Sequence, residues 1–349
     1  MVLPGKHVGL LLTLVASIGI VPTLLAQDGT VAVVRGRLIA ADGGEAGGLR
    51  VVARVGMLTD STESDAEGRF AVALGDAATV DSIELSVAGM SVGAPVYQSS
   101  LVRLIGKDLD RELEIVVIPL RWTIVEGRYA GTAVDVPLSR AFTRACATCS
   151  AFYRFSTGDR PSGRESLQGW PAKRFPLQVA FDREWPALRV TPRDSAQFWS
   201  EVDALEAAFG ADVFRPVTFE EARPRETGGP DDAILVWVDP ALRNSSGLGS
   251  SVGNGHDIEY GDVRLHRGAL RGSVGGEGLV AHELMHTLGF GHTCAWRSVL
   301  ADVRRCPELR ASTATPEDVA YAQLAARLRR LLAADTRRWG VEAALAAAE

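Results

Sequence analysis

One eleven-residue segment constrains this chain more than any other: His282-Glu283-Leu284-Met285-His286-Thr287-Leu288-Gly289-Phe290-Gly291-His292. It has the form H-E-x-x-H-x-x-G-x-x-H. Histidines four apart share one face of a helix, about 6 Å from each other, so both rings can reach one ion. Val280, Leu284 and Leu288 give that helix a buried side of its own, so the histidines are not needed as packing. Gly289 can take the left-handed conformation that ends a helix, which swings His292 back toward the same ion. Three protein ligands leave a fourth position for water, the catalytic pattern rather than the closed structural one. Glu283 is not needed as a ligand; beside the first histidine it can reach a metal-activated water and act as general base. The spacing therefore predicts a zinc site on His282, His286 and His292 with Glu283 beside it.

The chain has 349 residues, more than one typical domain, with 46% hydrophobic and 23% charged residues, the proportions of a globular protein. A net charge of -6 without a basic stripe gives no reason to expect nucleic acid as a partner. Lys6 and His7 precede an apolar run from Val8 to Val21, and Ala26 stands before polar Gln27 and Asp28. Residues 1–26 read as a signal peptide, which predicts a secreted, periplasmic or cell-surface protein. Leu24 fits the cleavage pattern poorly, so an uncleaved anchor is the alternative, and the one route by which a membrane enters. Cysteines at 146, 149, 294 and 306 suit an exported chain as two disulfides. Nearness in the chain suggests 146 with 149 and 294 with 306.

From Thr30 to Pro119 short strands alternate with turn residues: 31–38, 49–55, 69–74, 82–87 and 112–118. That spacing predicts an all-β sandwich over residues 27–120. Residues 121–171 read as a connector holding the CxxC, with Pro and Gly at 158, 161, 163, 169 and 171. A second pattern, over 172–335, begins with a strand at Leu177–Asp182. A long helix capped by Thr191 or Asp194 runs to about Phe209, its buried face formed by Phe198, Val202, Leu205 and Phe209. Ala233–Val238 follows as an apolar strand, then a Gly/Ser/Asn-rich loop at 244–255 and a strand at Asp262–Leu265. Thr315-Pro316-Glu317-Asp318 opens a last amphipathic helix, with proline in the first turn and acids at the positive end of the dipole. Residues 336–349 are left as a tail. Gly249-Ser250-Ser251-Val252-Gly253 fits the G-x-S-x-G nucleophile elbow, but turn residues stand on both sides where a strand and a helix are required.

The extended histidine motif resembles that of the metzincin zinc peptidases, matrixin-like branch. The stretch Thr62–Phe70 resembles the turn of carboxypeptidase-regulatory-like domains, a transthyretin-like sandwich. The resemblance implies a multidomain chain: the sandwich, then an α+β peptidase domain with a mixed sheet, a long helix, the motif helix and a C-terminal helix. It implies one catalytic Zn²⁺, Glu283 as base, and a protein or peptide substrate. In this family a methionine lies eight residues beyond the third histidine; here that position is Leu300, and no Met follows Met285. A Leu-for-Met exchange usually costs under about 1.5 kcal/mol, and Cys294 and Cys306 bracket the turn. The tyrosine that often follows that methionine is missing too. The resemblance further implies an edge strand at Asp262–His266 to which extended substrate adds. His256, His266 and Asp257 are weighed as a second zinc or a Ca²⁺ site, with solvated loop residues preferred. Cys146 or Cys149 as a zinc latch is weighed against a plain disulfide, and the disulfide is preferred. The rival from another class is a binding protein built on a decayed peptidase domain, marked by Leu300. The intact Glu283 and histidines stand against it.

Overall fold

The computed structural model describes residues 33–74, 82–91, 94–105, 112–142, 155–156, 166–181, 190–222, 233–239, 242, 247–254, 257–266, 268–271, 276–334 and 338–339. The signal segment, both cysteines of the CxxC, and His256 lie outside these residues. The chain is mixed α/β, with several sheets and few helices.

The N-terminal region is β-rich. Its strands are β1 (Val33–Ala40), β2 (Arg50–Val55), β3 (Leu58–Glu63), β4 (Arg69–Ala73), β5 (Ser82–Val87), β6 (Ser100–Ile105) and β7 (Leu113–Val117). Strands β3-β2-β5-β6 form one antiparallel sheet. Every second residue is buried in β2 and β5, which fits strands with one face inward. Those inward residues join Val34, Leu38, Phe70, Val72 and Ile115 from β1, β4 and β7 in one apolar cluster. Sequence reading missed β3 and β6. β3 carries Thr59, Asp60, Ser61, Thr62 and Glu63, largely exposed, so no apolar alternation marks it.

The second region is built on β8 (Leu177–Phe181), β9 (Phe214–Pro216), β10 (Ala233–Val238), β11 (Gly247–Asn254) and β12 (Asp257–Leu265), in the order β9-β8-β10-β12-β11. The first four strands in that order are parallel neighbours, and β11 runs antiparallel to β12 along the edge. Central β10 is apolar at nearly every position because both faces are covered. Two expectations are corrected here. Residues 247–254, read as part of a loop, form a strand, and it is this strand that lies at the edge, not Asp262–His266, of which Asp262 to Leu265 pair on both sides within β12 and His266 lies just past its end. Ser251 of the G-x-S-x-G sequence therefore lies within an extended strand, not at a strand-to-helix turn.

The three longest helices share one apolar core with this sheet: α1 (Pro192–Phe209), α2 (Leu279–Thr287) and α3 (Pro316–Ala334). α1 begins with a capping box, the Thr191 N–H donating to Asp194 and the Asp194 N–H to the Thr191 hydroxyl, and ends at left-handed Gly210. Its buried face is the one the spacing predicts, with Phe198, Val202, Leu205 and Phe209 all inward. The last described strand, β13 (Arg338–Trp339), pairs in parallel with β7, giving the N-terminal region its second sheet, β13-β7-β1-β4. β7 itself faces two ways: Ile115 and Val117 enter the N-terminal core, while Val116 joins the core around α1, α2 and α3.

Candidate metal centre

The first part of the motif, His282 to Thr287, lies in α2, which is buried along its whole length, with Leu284 and Met285 in the apolar core. Its N-cap is Gly278, whose lack of a side chain leaves the first N–H groups without a local acceptor. Glu201 of α1 supplies one: its carboxylate accepts from the Val280 N–H at 3.0 Å and from the Ala281 N–H. Burial raises the Glu201 pKa, and these donors pull it back. Replacing Glu201 with alanine should lower stability by about 1–2 kcal/mol, as for a lost N-cap, and Glu201→Gln should recover part of it because an amide oxygen still accepts. Urea unfolding of the metal-free variants checks this.

α2 stops at Leu288, and Gly289 has φ 98°, the left-handed turn expected from sequence. The chain reverses and brings His292 to the other two. The three Nε2 atoms lie 3.2 Å from one another: His282 to His286, His286 to His292, and His292 to His282. Two Nδ1 atoms are held from behind. That of His282 donates to the Val299 carbonyl at 2.7 Å and that of His286 to the Phe290 carbonyl at 2.8 Å. With the proton on Nδ1, the Nε2 lone pairs point inward. His282 and His286 are buried, and His292 is partly exposed. Burial first, then the neighbouring histidine and Arg310, holds the His282 pKa well below the usual imidazole range, so it is neutral, as a ligand must be.

Three nitrogens 3.2 Å apart fit donors around one ion at about 2.0–2.1 Å, with angles of roughly 100° between bonds, close to tetrahedral. The set can hold a metal ion, and among the described residues it is the one such group of three. Asp257 and His266 are engaged elsewhere. Asp257 pairs with Arg329 at 3.1 Å, and His266 Nδ1 accepts from the Gly268 N–H at 3.0 Å.

Glu283, 4% exposed, accepts a hydrogen bond from the Gly249 N–H of β11. Burial pushes its pKa up to about 7, while Gly249 and Arg310 act the other way. Arg310 places Nη1 3.4 Å from His282 Nδ1. Sequence reading passed over Glu201, Arg310 and the contact of Gly249 with Glu283, for no local pattern links them to the motif.

The chain after His292 forms a buttress. Cys294 and Cys306 are joined, as their nearness suggested. Within this bracket Leu300 is fully buried, and the preceding Val299 holds His282. Asp318, at the start of α3, is buried and accepts from Trp296 Nε1 (3.1 Å), the Ser298 hydroxyl, the Val299 N–H (2.9 Å) and the Thr315 N–H (3.0 Å). Trp296 also stacks on Tyr321 of α3 at 4.4 Å. No helix among the described residues is long and apolar enough to cross a membrane.

Comparison with known proteins finds no matching family model, no matching curated protein and no matching solved structure.

Proposed function

We propose that this chain is an exported zinc-dependent endopeptidase of the metzincin type. The observation that carries the reading is the convergence of three imidazole nitrogens at 3.2 Å with a buried carboxylate on the adjacent residue. Several features support the resemblance: the order strand, long helix, strands, motif helix and late helix, the left-handed Gly289, and an open edge strand alongside the motif. An all-nitrogen set of three suits zinc.

When bound, the ion supplies Lewis acidity, lowering the pKa of a water and polarising a carbonyl. His282, His286 and His292 hold it, with Val299 and Phe290 keeping two rings in the right tautomer. Glu283 takes the proton from the attacking water on a carboxylate oxygen and delivers it to the leaving amide nitrogen. Strand β11 has no further strand partner among the described residues, so an extended peptide can pair along it. Its outward Leu248 and Val252 are 48% and 42% exposed, an apolar surface for that peptide.

The test is metal analysis with cleavage of casein. One zinc per chain is expected, with cleavage lost on chelation and restored by zinc, and zinc lost from His282→Ala and His286→Ala. A protein that folds but takes up no zinc would end the proposal.

A further inference from the structure

Strand β11 does more than lie beside the motif helix. Its residues alternate, and Gly247 and Gly249 face α2, while Leu248 and Ser250 face away, the Ser250 hydroxyl donating to Asp262. A β-carbon on Gly247 would stand 2.5 Å from Glu283 Oε1 and 2.9 Å from its Cγ and Cδ. One on Gly249 would run into the backbone of Glu283, with its Cα at 2.9 Å. Gly261 of β12 continues the row, with Thr287 Cβ 3.0 Å from where its side chain would begin. The helix thus sits on the sheet at a distance only glycine permits, and the point of closest approach is the Glu283 residue itself.

We infer that Gly247 and Gly249 are positioning residues for the general base. Gly249 gives its N–H to the carboxylate, and Gly247 leaves the space that Oε1 occupies. This rests on the peptidase reading above. Its consequence is that the strand available to the substrate and the group that acts on it are fixed to each other. A peptide pairing along the free edge of β11 is held in register with Glu283 by the same few residues, whereas Leu248, facing the other way, serves binding alone.

The discriminating variants are Gly247→Ala, Leu248→Ala and Gly247→Ala in a Glu283→Ala background. For Gly247→Ala, kcat on casein should fall on the order of a hundredfold, the usual effect of a small misplacement, with KM and zinc content unchanged. For Leu248→Ala, KM should rise and kcat should hold. A second reading uses thermal unfolding without any substrate. Gly247→Ala should lower Tm by several degrees when Glu283 is present and by much less when it is alanine, because the colliding carboxylate is gone. An equal Tm loss in both backgrounds overturns the inference, and so does a Gly247→Ala protein that loses zinc together with activity, since that is a structural role. Cleavage that survives Glu283→Ala instead ends the peptidase mechanism. In that event coupled Tm values would still establish the contact but leave no base for it to position, and the inference falls with it.

Discussion

Replacing Glu283 with alanine is expected to leave one zinc per chain and to lower casein cleavage by roughly 10²–10⁴-fold, the usual contribution of a positioned general base. The two effects separate because Glu283 stands beside the histidine set without belonging to it. Its carboxylate turns to β11, where it accepts from Gly249, while the three Nε2 atoms converge on their own point. Alanine also removes buried volume, so Glu283→Gln is the sharper variant. The amide keeps the shape and can still accept from the Gly249 N–H, but it cannot take a proton. Both variants should fall to a similar residual rate. Zinc analysis beside single-turnover cleavage measures this. A glutamine variant that keeps the wild-type rate would remove Glu283 from the chemistry.

Asp318→Asn is expected to lower stability by roughly 2–4 kcal/mol, from buried donors left without an acceptor, and to weaken zinc binding by about 10–100-fold, as for other partners behind metal ligands. Four donors converge on this carboxylate, from Trp296, Ser298, Val299 and Thr315. Burial raises the Asp318 pKa, and the donors are what favour the charged form. An asparagine has one acceptor oxygen, and its NH₂ would face N–H groups with which it cannot pair. The link to the metal centre is one residue long, for Asp318 accepts from the Val299 N–H and the Val299 carbonyl accepts from His282. Urea unfolding of the metal-free protein gives the first effect, and competition with a chromogenic chelator gives the second. Unchanged zinc affinity in a destabilised variant would confine Asp318 to the fold.

Leu300 gains meaning from the same buttress. Its side chain is apolar and fully buried, and the turn that carries it is held by Asp318 and by the Cys294–Cys306 bond.

The histidine triad, the carboxylate beside it, the turn at Gly289, the capped α1 helix and the 294–306 pairing were legible in the sequence. Each depends on residues close in the chain, where helix periodicity and left-handed glycine act locally. The edge strand was misread because glycine and serine signal turns when seen in sequence. In β11 the glycines instead let a helix approach, and only the packed helix reveals that use. Likewise nothing near Gly278 announces that its helix is capped from Glu201, 79 residues before Val280. The sequence by itself thus determined which side chains form the candidate site. The tertiary structure decided what holds them in place: Glu201 at the start of the motif helix, Gly247 and Gly249 against Glu283, and Val299 and Asp318 behind the first histidine. Those contacts join segments far apart in the chain, and close packing in three dimensions, not local periodicity, selects them.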